Sequence, residues 1–494
     1  MANSRVCVAV TGRTMTEIRA RRDAVEGADL VEMRLDTVDR PDAAAALDGR
    51  RGPVIVTCRA AWEGGYFTGS EEERRRILEE ALALGADFVD VEARAPFAAA
   101  MIGARRGRRV ILSSHIFGTM PSDLEAQWAA LVASGAEIAK LAVEAESLSD
   151  TLRVMSLAGD SAASSSGGAP GRVLIAMGDA GVASRILATR LGNAWTYAGD
   201  NVAPGQLSLD RLLNEFRFRD LHPATAVYGV VGNPIMHSLS PVMHNAGFRC
   251  LGIDAVYLPL LAADAGDFIR FARGIGMAGA SITAPFKVAL MESADGLDPL
   301  AMRVGAINTL AMRGGRWHGY NTDVHGFTAP LIARLRDLPA LAGRKLRASL
   351  LGAGGAARAV AVALADLGAD VTVCARRPEA AQAIAELAGG VVGGLPPEPG
   401  SWDLLVNSTS SDGDAAVNSP MGDAPLDGRL VYELLYVPAV TRLLADARAA
   451  GCTTIGGLEM LVAQAEKQFE IWTGQAPPRG LFQQAASGPD GARA

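Results

Sequence analysis

The chain of 494 residues has few cysteines, no long apolar run and no excess of basic side chains. Its five cysteines are scattered without a C-x-x-C pair, which argues against a disulfide framework and against a zinc site. No run approaches the ~18 consecutive apolar residues that a membrane span needs. Lysine and arginine number 47 against 54 acidic residues, so no basic stripe for nucleic acid is indicated. We therefore expect small-molecule chemistry without a metal, a membrane or a nucleic acid as a partner.

The N-terminal sequence MANSRVCVAVTG enters a strand-like run almost at once. It leaves no room for the charged region, apolar stretch and cleavage site of a secretory signal. Together with the unpaired pattern of the cysteines, this predicts a cytoplasmic protein. The sequence leaves open whether identical chains form a homo-oligomer.

Short β-branched runs alternate with helical patterns in the N-terminal part of the chain. They are VCVAV, LVEMRL, VIVTC, FVDVE, VILSSH, IAKLAV, VLIAMG and AWTYAG. Eight strands that alternate with helices over about 200 residues are typical of a closed parallel (β/α)8 barrel, whose site lies at the C-terminal strand ends. We predict such a barrel over residues 1–218. An open doubly wound sheet is the alternative that the pattern alone allows.

A second α/β module begins near residue 225, after the short linker His222-Pro223-Ala224. Strands and helices alternate over 225–335, and RASLLGAGGAARAVAVALADLGADVTVCARR then reads as strand, glycine turn, helix and strand. This βαβ unit predicts a Rossmann-like nucleotide-binding domain over 336–457. A helix at 458–480 is expected to pack back on the middle domain, and 481–494 is expected to be a disordered tail.

Ionisable side chains stand at the ends of the predicted barrel strands. Lys140 lies within the apolar run IAKLAV, and His115 lies in SSHIFG. Comparable strand ends carry Glu32, Arg34 and Arg59, with Glu63 just beyond. Each alone is more often a salt bridge or a solvated strand end, but together they indicate a site.

A lysine surrounded by apolar walls is a candidate nucleophile, because burial disfavours the ammonium form. Its attack on a ketone gives an iminium, which withdraws electrons and acidifies the neighbouring carbon. A histidine within reach could move that proton and then protonate a departing hydroxyl. The residues alone leave aldolase and dehydratase chemistry equally open.

At these strand ends the chain resembles the type I 3-dehydroquinate dehydratases, over residues 5 to 215. The resemblance implies that Lys140 forms the Schiff base, that His115 is the general acid and base, and that Glu63 orients it. It also implies a set of substrate-binding residues: Glu32, Arg34, Arg59, Arg185, which would clamp the carboxylate, and Gln206. Val202 stands where the family usually has serine, so we expect affinity weaker by the ~1 kcal/mol of one neutral hydrogen bond.

A glycine-rich turn follows the first strand of the nucleotide-binding unit. It consists of Gly352, Ala353, Gly354, Gly355 and Ala356, in a G-x-G-x-x-A pattern that lets backbone amides approach a pyrophosphate. Alone the motif is weak, because such turns often serve only close packing. The next strand ends without an acidic residue, and Arg376 and Arg377 stand there instead. Arginines suit a 2′-phosphate, so we predict NADP(H) over NAD; the alternative is two surface arginines.

The motifs GNPIMHSLSPVMHN, SITAPFK, GAINT, GYNTD, VNSTS, YELLYVPAVTRLL and GGLEMLVAQA resemble shikimate dehydrogenase over about 225–480. The resemblance implies that 225–335 binds substrate and that Lys287 and Asp323 form the catalytic pair that moves the proton accompanying hydride transfer. It implies that the substrate contacts Ser238, Ser240, Thr283, Asn308, Tyr436 and Gln464. It implies that the nicotinamide side is bordered by Asn407, Thr409, Leu434, Gly457 and Met460. Ser281 departs from the asparagine of the family motif but still offers a hydroxyl.

The two resemblances imply successive reactions on small-molecule substrates. 3-Dehydroquinate would lose water to give 3-dehydroshikimate, which NADPH would reduce to shikimate. One alternative is a dehydrogenase half that prefers quinate, and a second is that one half is an inactive regulatory module. Both serines, Ser238 and Ser240, argue against the first. The intact Lys140, His115, Lys287 and Asp323 argue against the second.

Overall fold

The computed structural model describes residues 4–159, 170–199, 204–341, 343–409 and 415–488. The chain divides into two compact units, Met1–Ala226 with Leu258–Gly276, and Val227–Tyr257 with Met277–Ala494. Val202, whose replacement of serine carried an affinity prediction, lies outside the described residues. Within the described ranges, no helix is long and apolar enough to cross a membrane.

The N-terminal strands form one parallel sheet in the order β7-β6-β5-β4-β3-β2-β1-β8. They are β1 Arg5–Val10, β2 Leu30–Arg34, β3 Val54–Thr57, β4 Phe88–Glu92, β5 Val110–Ile116, β6 Ile138–Glu144, β7 Gly171–Met177 and β8 Trp195–Ala198. β1 pairs with both β2 and β8, and a bridge from Arg172 to Asn193 joins the two ends of the sheet. This closure confirms the predicted barrel over the open-sheet alternative.

Helices follow most of the barrel strands. They are α1 Met15–Ala24, α2 Ala43–Leu47, α3 Glu71–Ala83, α4 Ala98–Arg105, α5 Leu124–Ala133, α6 Leu148–Ser156 and α7 Val182–Ile186. The sequence encodes several of their starts, since Ser70 forms a capping box with Glu73, and Ser147 forms one with Asp150. Apolar side chains such as Ile55, Ile111 and Trp195 form a buried core cluster in this unit.

The next sheet has six strands in the order β10-β9-β11-β13-β14-β12. They are β9 Ala226–Gly232, β10 Ala255–Leu261, β11 Gly279–Ile282, β12 Gly296–Leu297, β13 Thr309–Arg313 and β14 Arg316–Tyr320. β11 runs parallel to β9 and antiparallel to β13, so the sheet is mixed. The helices of this region are α8 Ser240–Cys250, α9 Ala265–Ile275, α10 Pro299–Val304 and α11 Asp323–Arg336.

The last sheet has the order β17-β16-β15-β18-β19-β20, with every neighbouring pair parallel. Its strands are β15 Arg347–Leu351, β16 Asp370–Cys374, β17 Val391–Gly393, β18 Leu404–Asn407, β19 Leu430–Glu433 and β20 Thr453–Ile455. Its helices are α12 Gly355–Asp366, α13 Pro378–Ala388 and α14 Arg442–Ala449. This strand order is that of a Rossmann sheet, in which ligands bind where the order reverses, here between β15 and β18.

Two helices end the described chain, α15 Gly457–Thr473 and α16 Leu481–Ser487. α15 packs closely on α11, where a Cβ on Gly326 would lie 2.6 Å from Cβ of Gln464. The prediction of a disordered tail from residue 481 is wrong for α16, because Phe482 is fully buried edge-on against Phe469. One aromatic side chain anchors a segment whose other residues are small or polar. Residues 489–494 lie outside the described ranges.

Candidate active sites

A cavity of about 240 Å³ lies at the C-terminal ends of the barrel strands. All the residues predicted for this half line it: Glu32, Arg34, Arg59, Glu63, His115, Lys140, Arg185 and Gln206. They come from β2, β5, β6, α7 and the segments after β3 and β8. The barrel closure therefore gathers side chains that are up to about 170 residues apart in sequence.

Lys140 is buried in β6 among oxygen atoms. Its Nζ lies 2.9 Å from Oδ2 of Asp90, 3.1 Å from the Tyr197 hydroxyl and 3.7 Å from Oε2 of Glu32. The carboxylates compensate a buried cation that would otherwise be costly. Sequence reasoning missed Asp90 and Tyr197. A carboxylate inside the apolar run FVDVE was the available signal for Asp90.

Arg59 belongs to a buried group of alternating charges beside Lys140. Its guanidinium forms ion pairs with Asp90 at 3.1 Å and with Glu92 at 3.0 Å, and Arg74 of α3 also pairs with Glu92. Burial opposes ionisation of Asp90, but the nearby Arg59 and Lys140 outweigh it and hold the pKa of Asp90 below its ordinary value. Arg59 is thus fixed before any ligand binds.

His115 and Glu63 form an acid–base pair at the cavity wall. Oε1 of Glu63 lies 3.1 Å from His115 Nδ1 and accepts a hydrogen bond of 2.8 Å from the His115 backbone. Burial, reinforced by Arg59 and Lys140, lowers the pKa of His115 well below its ordinary value. Burial raises the pKa of Glu63 to about 7. Near neutral pH the imidazole is therefore uncharged, and the pair can gain or release one proton.

Arg185 is buried and has no carboxylate partner in the described part of the chain. One of its N–H groups donates to the Pro204 carbonyl at 3.0 Å, and its Nε has no hydrogen-bond partner there. Burial without a compensating anion lowers the pKa of Arg185 to about 10. Arg34, by contrast, is held by Asp36 in a two-pronged pair at 2.9 and 2.8 Å. A buried guanidinium without an anion is prepared for an anionic ligand.

The second unit places Lys287 against Asp323, with a direct hydrogen bond between Nζ and Oδ2. Lys287 follows β11, and Asp323 is the first residue of α11. Asn308 Nδ2 donates to Oδ1 of Asp323 at 2.8 Å and to Oε1 of Gln464 at 3.2 Å. A Cβ on Gly355 would lie 3.4 Å from Lys287 Cδ, so the lysine also borders the glycine turn. The predicted pair therefore lies between the substrate residues and the nucleotide motif.

The remaining predicted substrate residues are less directly joined. Ser238 Oγ accepts a hydrogen bond of 3.2 Å from the Ser240 backbone. Across the described ranges, the side chains of Thr283 and Tyr436 form no hydrogen bond with Lys287, Asp323, Asn308 or Gln464. The structure brings the predicted catalytic pair, Lys287 and Asp323, into contact, but it does not join all the predicted substrate residues to that pair.

Ser281, the departure from the family motif, lies in a buried hydrogen-bond network that sequence reasoning missed. The Tyr257 hydroxyl donates to Ser281 Oγ at 2.5 Å, and Ser281 donates to Oε1 of Gln468 at 2.7 Å. Nε2 of Gln468 donates to the Asn308 carbonyl at 2.9 Å. The serine hydroxyl thus supports the backbone beside the catalytic pair. Helical spacing alone does not distinguish Gln468 from other polar residues of α15.

A cleft of about 740 Å³ lies over the C-terminal ends of β15, β16 and β18. Most predicted cofactor residues line it: Gly352, Ala353, Gly354, Arg376, Arg377, Asn407 and Thr409. Gly352 has φ of +106°, and a Cβ there would lie 2.8 Å from Ser408 Oγ, so this turn requires glycine. The first helical residues of α12 are Gly355 and Ala356.

Leu434, Gly457 and Met460 form a group of their own just after β19 and β20. A Cβ on Gly457 would lie 2.3 Å from the Leu434 carbonyl oxygen, and Met460 belongs to the core cluster against which Leu434 packs. None of the three lines the 740 Å³ cleft. Their predicted contact with the nicotinamide side remains a prediction.

The fold and the two sites define a class of protein: an α/β enzyme with two catalytic units, a lysine-based barrel and a nucleotide-dependent dehydrogenase. The family model for type I 3-dehydroquinase matches residues 6–222. The model for the shikimate dehydrogenase substrate binding domain matches 230–310, and that for the shikimate 5′-dehydrogenase C-terminal domain matches 457–486. These matches confirm both predicted resemblances.

Relatives with one and with two catalytic activities are similar to this chain. The Arabidopsis thaliana protein named bifunctional 3-dehydroquinate dehydratase/shikimate dehydrogenase, chloroplastic, is 35% identical, and the alignment covers 93% of this chain and 80% of that protein. The NADP(+) shikimate dehydrogenase of Halorubrum lacusprofundi is 44% identical over 51% of this chain and 94% of its own length. The chain belongs to the family of bifunctional 3-dehydroquinate dehydratase/shikimate dehydrogenases, and it is both a lyase and an oxidoreductase.

Solved structures were also compared with the chain. The Thermus thermophilus shikimate 5-dehydrogenase in complex with NADP(H) and shikimate covers 53% of this chain and 98% of its own, at 35% identity and a TM-score of 0.46. The dehydroquinate dehydratase and shikimate dehydrogenase from S. pombe covers 98% of both chains, at 23% identity and a TM-score of 0.44. Because the Arabidopsis relative is chloroplastic, the cytoplasmic location of this chain stays a prediction.

Proposed function

We propose that the barrel dehydrates 3-dehydroquinate to 3-dehydroshikimate and that the second unit reduces 3-dehydroshikimate to shikimate with NADPH. The observation that carries the first assignment is the cavity that holds both Lys140 and the buried Arg185, which forms no ion pair with any described residue. A ketone that also bears a carboxylate satisfies both groups at once. The Lys287–Asp323 hydrogen bond beside the glycine turn supports the second assignment.

In the barrel, the Lys140 ammonium first releases a proton to solvent; its amine then attacks the ketone carbon, and water leaves as the iminium forms. His115 then takes the proton from the carbon beside the iminium, and the electron pair moves to nitrogen as an enamine. The enamine expels the hydroxyl from the next carbon, and His115 returns its proton to that leaving group. Hydrolysis of the conjugated iminium frees Lys140 and the product. Glu63 holds the imidazole ring in place through its 3.1 Å contact.

The substrate's carboxylate pairs with Arg185 in this proposal, and its hydroxyls contact Glu32, Arg34, Arg59 and Gln206. Arg34 and Arg59 are already held by carboxylates of the protein, so they offer their remaining N–H groups in fixed directions. Substrate then gives Arg185 an anionic partner that the described residues do not supply. The enthalpy of that charge-assisted contact offsets the loss of substrate freedom.

In the second unit, NADPH supplies a hydride to the ketone carbon when it is bound. The cleft fits the cofactor, because Gly352 lets the backbone approach a pyrophosphate and Arg376 and Arg377 can receive a 2′-phosphate. Lys287 donates a proton to the developing alkoxide oxygen, and Asp323 holds the ammonium in position. The other proposed substrate contacts are Ser238, Ser240, Thr283, Tyr436 and Gln464.

One coupled assay tests both assignments. Purified protein is mixed with 3-dehydroquinate, with and without NADPH, while enone absorbance, NADPH oxidation and the mass of borohydride-trapped protein are followed. We expect enone without cofactor, NADPH oxidation with it, and an adduct that is lost in Lys140→Ala. Lys287→Ala is the matched control, since it should keep the adduct and the enone but lose NADPH oxidation. If the unaltered chain forms neither the adduct nor the enone, the barrel assignment is refuted.

A further inference from the structure

Glu433, the last residue of β19, is a buried carboxylate at the cofactor cleft that none of the proposed steps uses. We propose that Glu433 is a positioning residue, which holds Asn407 and the segment after β19 in the arrangement that binds the nicotinamide end of NADP(H). The proposal rests on the proposed function and on the prediction that Asn407 and Thr409, which line the cleft, contact the cofactor.

The parallel sheet brings Glu433 and Asn407 side by side, because these residues are register partners on β19 and β18. Only 1% of each residue is exposed. Nδ2 of Asn407 donates to both carboxylate oxygens of Glu433, at 3.0 Å each. Asn407 ends β18, beside the reversal of strand order where Rossmann sheets bind their ligands, and Glu433 ends the next strand, β19.

The carboxylate decides which way the Asn407 amide faces. An ionised carboxylate can only accept hydrogen bonds, so the NH2 group of Asn407 must point toward it. The amide oxygen then faces the opposite direction, where it accepts from the Thr409 backbone at 3.1 Å and from the Thr409 hydroxyl at 2.6 Å. Glu433 therefore also fixes Thr409, without touching it.

Two further donors attach Glu433 to the other side of the cleft. The Leu435 backbone donates to Oε1 at 3.0 Å, and the Thr441 hydroxyl donates to Oε2 at 3.2 Å. Leu435 lies between Leu434, a predicted neighbour of the nicotinamide, and Tyr436, a proposed substrate contact, and Thr441 caps α14. One carboxylate thus joins β18, the segment after β19 and the start of α14.

The environment of Glu433 is polar but not cationic. Burial raises its pKa, while its hydrogen bonds with Asn407, Leu435 and Thr441 act in the opposite direction. In the described ranges no lysine or arginine forms an ion pair with it. A carboxylate kept at such a cost is better explained by the orientation it imposes than by net stability.

The decisive variant is Glu433→Gln, which keeps the size of the side chain but replaces one acceptor oxygen by an NH2 group. That group is a second donor beside the NH2 of Asn407, so the Asn407 amide is no longer held in one orientation and its contacts with Thr409 weaken. We expect the Kd for NADPH to rise about tenfold, the size of effect that loss of about 1.4 kcal/mol of hydrogen bonding produces. The dehydratase activity of the same chain should stay unchanged, and the KM for shikimate should rise less than the Kd for NADPH, because Asn407 and Thr409 contact Glu433 more directly than Tyr436 does.

Glu466→Gln is the matched control, because Glu466 is a partly buried carboxylate on α15 for which no role is proposed. Its NADPH affinity should equal that of the unaltered chain. If Glu433→Gln also leaves the Kd for NADPH unchanged, or raises the KM for shikimate equally, the proposal is overturned. Should Glu433→Gln not fold, Glu433→Asp draws the carboxylate back by one methylene and should give the same pattern with a smaller rise.

A double-mutant cycle with Asn407→Ala separates this inference from the function on which it rests. If Glu433 acts through Asn407, the Kd for NADPH of the double variant should not exceed the higher of the two single-variant Kd values. If the fold-change in Kd of the double variant instead equals the product of the two single fold-changes, Glu433 acts independently of Asn407 and the proposal is overturned. No effect of Asn407→Ala alone would instead refute the assignment of Asn407 to the cofactor.

Discussion

The two catalytic units both place a lysine beside an aspartate, but they hold it in different ways. Lys140 lies inside a barrel strand with 4% of its side chain exposed, among Asp90, Glu32 and Tyr197. Lys287 follows a strand in a loop, with 16% of its side chain exposed and Asp323 as its ion-pair partner. Lys140, the lysine proposed to bond covalently to substrate, is enclosed by groups that fix its direction. Lys287, the lysine proposed only to pass a proton, has one ion-pair partner and a more open side.

Removal of the amine should separate the two lysines most sharply. Lys140→Met should lower dehydratase activity by about 10⁴-fold or more, because no other group can form the imine. NADPH oxidation with 3-dehydroshikimate should be unchanged, and the two activities are measured on the same preparation. A borohydride adduct in this variant would show that a different residue is the nucleophile.

Lys287→Met should lower the kcat for 3-dehydroshikimate reduction by about 10²- to 10⁴-fold, the usual contribution of a positioned acid. The loss should be smaller than that at Lys140, because water can deliver a proton but cannot form an imine. Stopped-flow measurement of NADPH oxidation gives the size of the effect. An equal loss in both variants would break the proposed contrast between nucleophile and proton donor.

Arg185→Met should raise the KM for 3-dehydroquinate by about 10- to 100-fold, as expected for loss of a charge-assisted pair worth about 1.5–3 kcal/mol. Its buried guanidinium leaves no anionic partner behind among the described residues, so the melting temperature should not fall. Steady-state kinetics and thermal unfolding of one sample check both expectations. A clear loss of stability with unchanged KM would make Arg185 a structural residue.

The pH dependence of the barrel should show the Glu63–His115 pair directly. Because burial raises the pKa of Glu63 to about 7, the pair carries an extra proton below that pH and cannot accept another from substrate. The dehydratase kcat/KM should therefore rise as pH rises through about 7, by about tenfold per pH unit on the acid side. In Glu63→Gln this acid limb should move to lower pH, toward the lowered pKa of His115. An unshifted limb would assign the titration to another group.

Glu63 also contributes to stability with a definite sign. A carboxyl whose pKa is higher in the folded than in the unfolded chain favours folding below the unfolded value, near pH 4.5, and loses that contribution as pH rises to about 7. Glu63→Gln should therefore raise the free energy of unfolding of the barrel at pH 8, by about 1 kcal/mol. Denaturant titrations of Glu63→Gln and of the unaltered chain, each at pH 5 and pH 8, would measure this difference in the free energy of unfolding.

The site residues at the ends of the barrel strands could be predicted from the sequence. The buried residues that support them from the surrounding helices could not. Lys140 and His115 are polar residues within apolar runs. In a closed barrel, such residues come together at the C-terminal ends of the strands. Arg74 lies in ERRRILEE, where nothing distinguishes it from its neighbours, yet its side chain is fully buried and pairs with Glu92. Burial of a helical arginine depends on the angle at which α3 meets the barrel, which periodicity does not encode.

The C-terminal end shows the same limit from the other direction. Composition predicted disorder after residue 480, but Phe482 docks beside Phe469 and orders α16. A single aromatic side chain outweighs several small and polar neighbours when a buried site exists for it. In the cofactor domain, the glycine turn could be predicted from the spacing of its glycines. The role of the Glu433 carboxylate could not be predicted, because its partner Asn407 lies on a different strand.

The contact of α15 with Asn308 also has a consequence for synthesis on the ribosome. Every lining residue proposed for the barrel has been translated once Gln206 is complete, whereas Asn308 must wait for Gln464, 156 positions later, before its hydrogen bond can form. Domains generally fold as they emerge, N-terminal first. We therefore expect a growing chain to gain its two activities in the order in which the substrate meets them, so that a ribosome halted just before α15 would carry a complete lyase site and an incomplete reductase site.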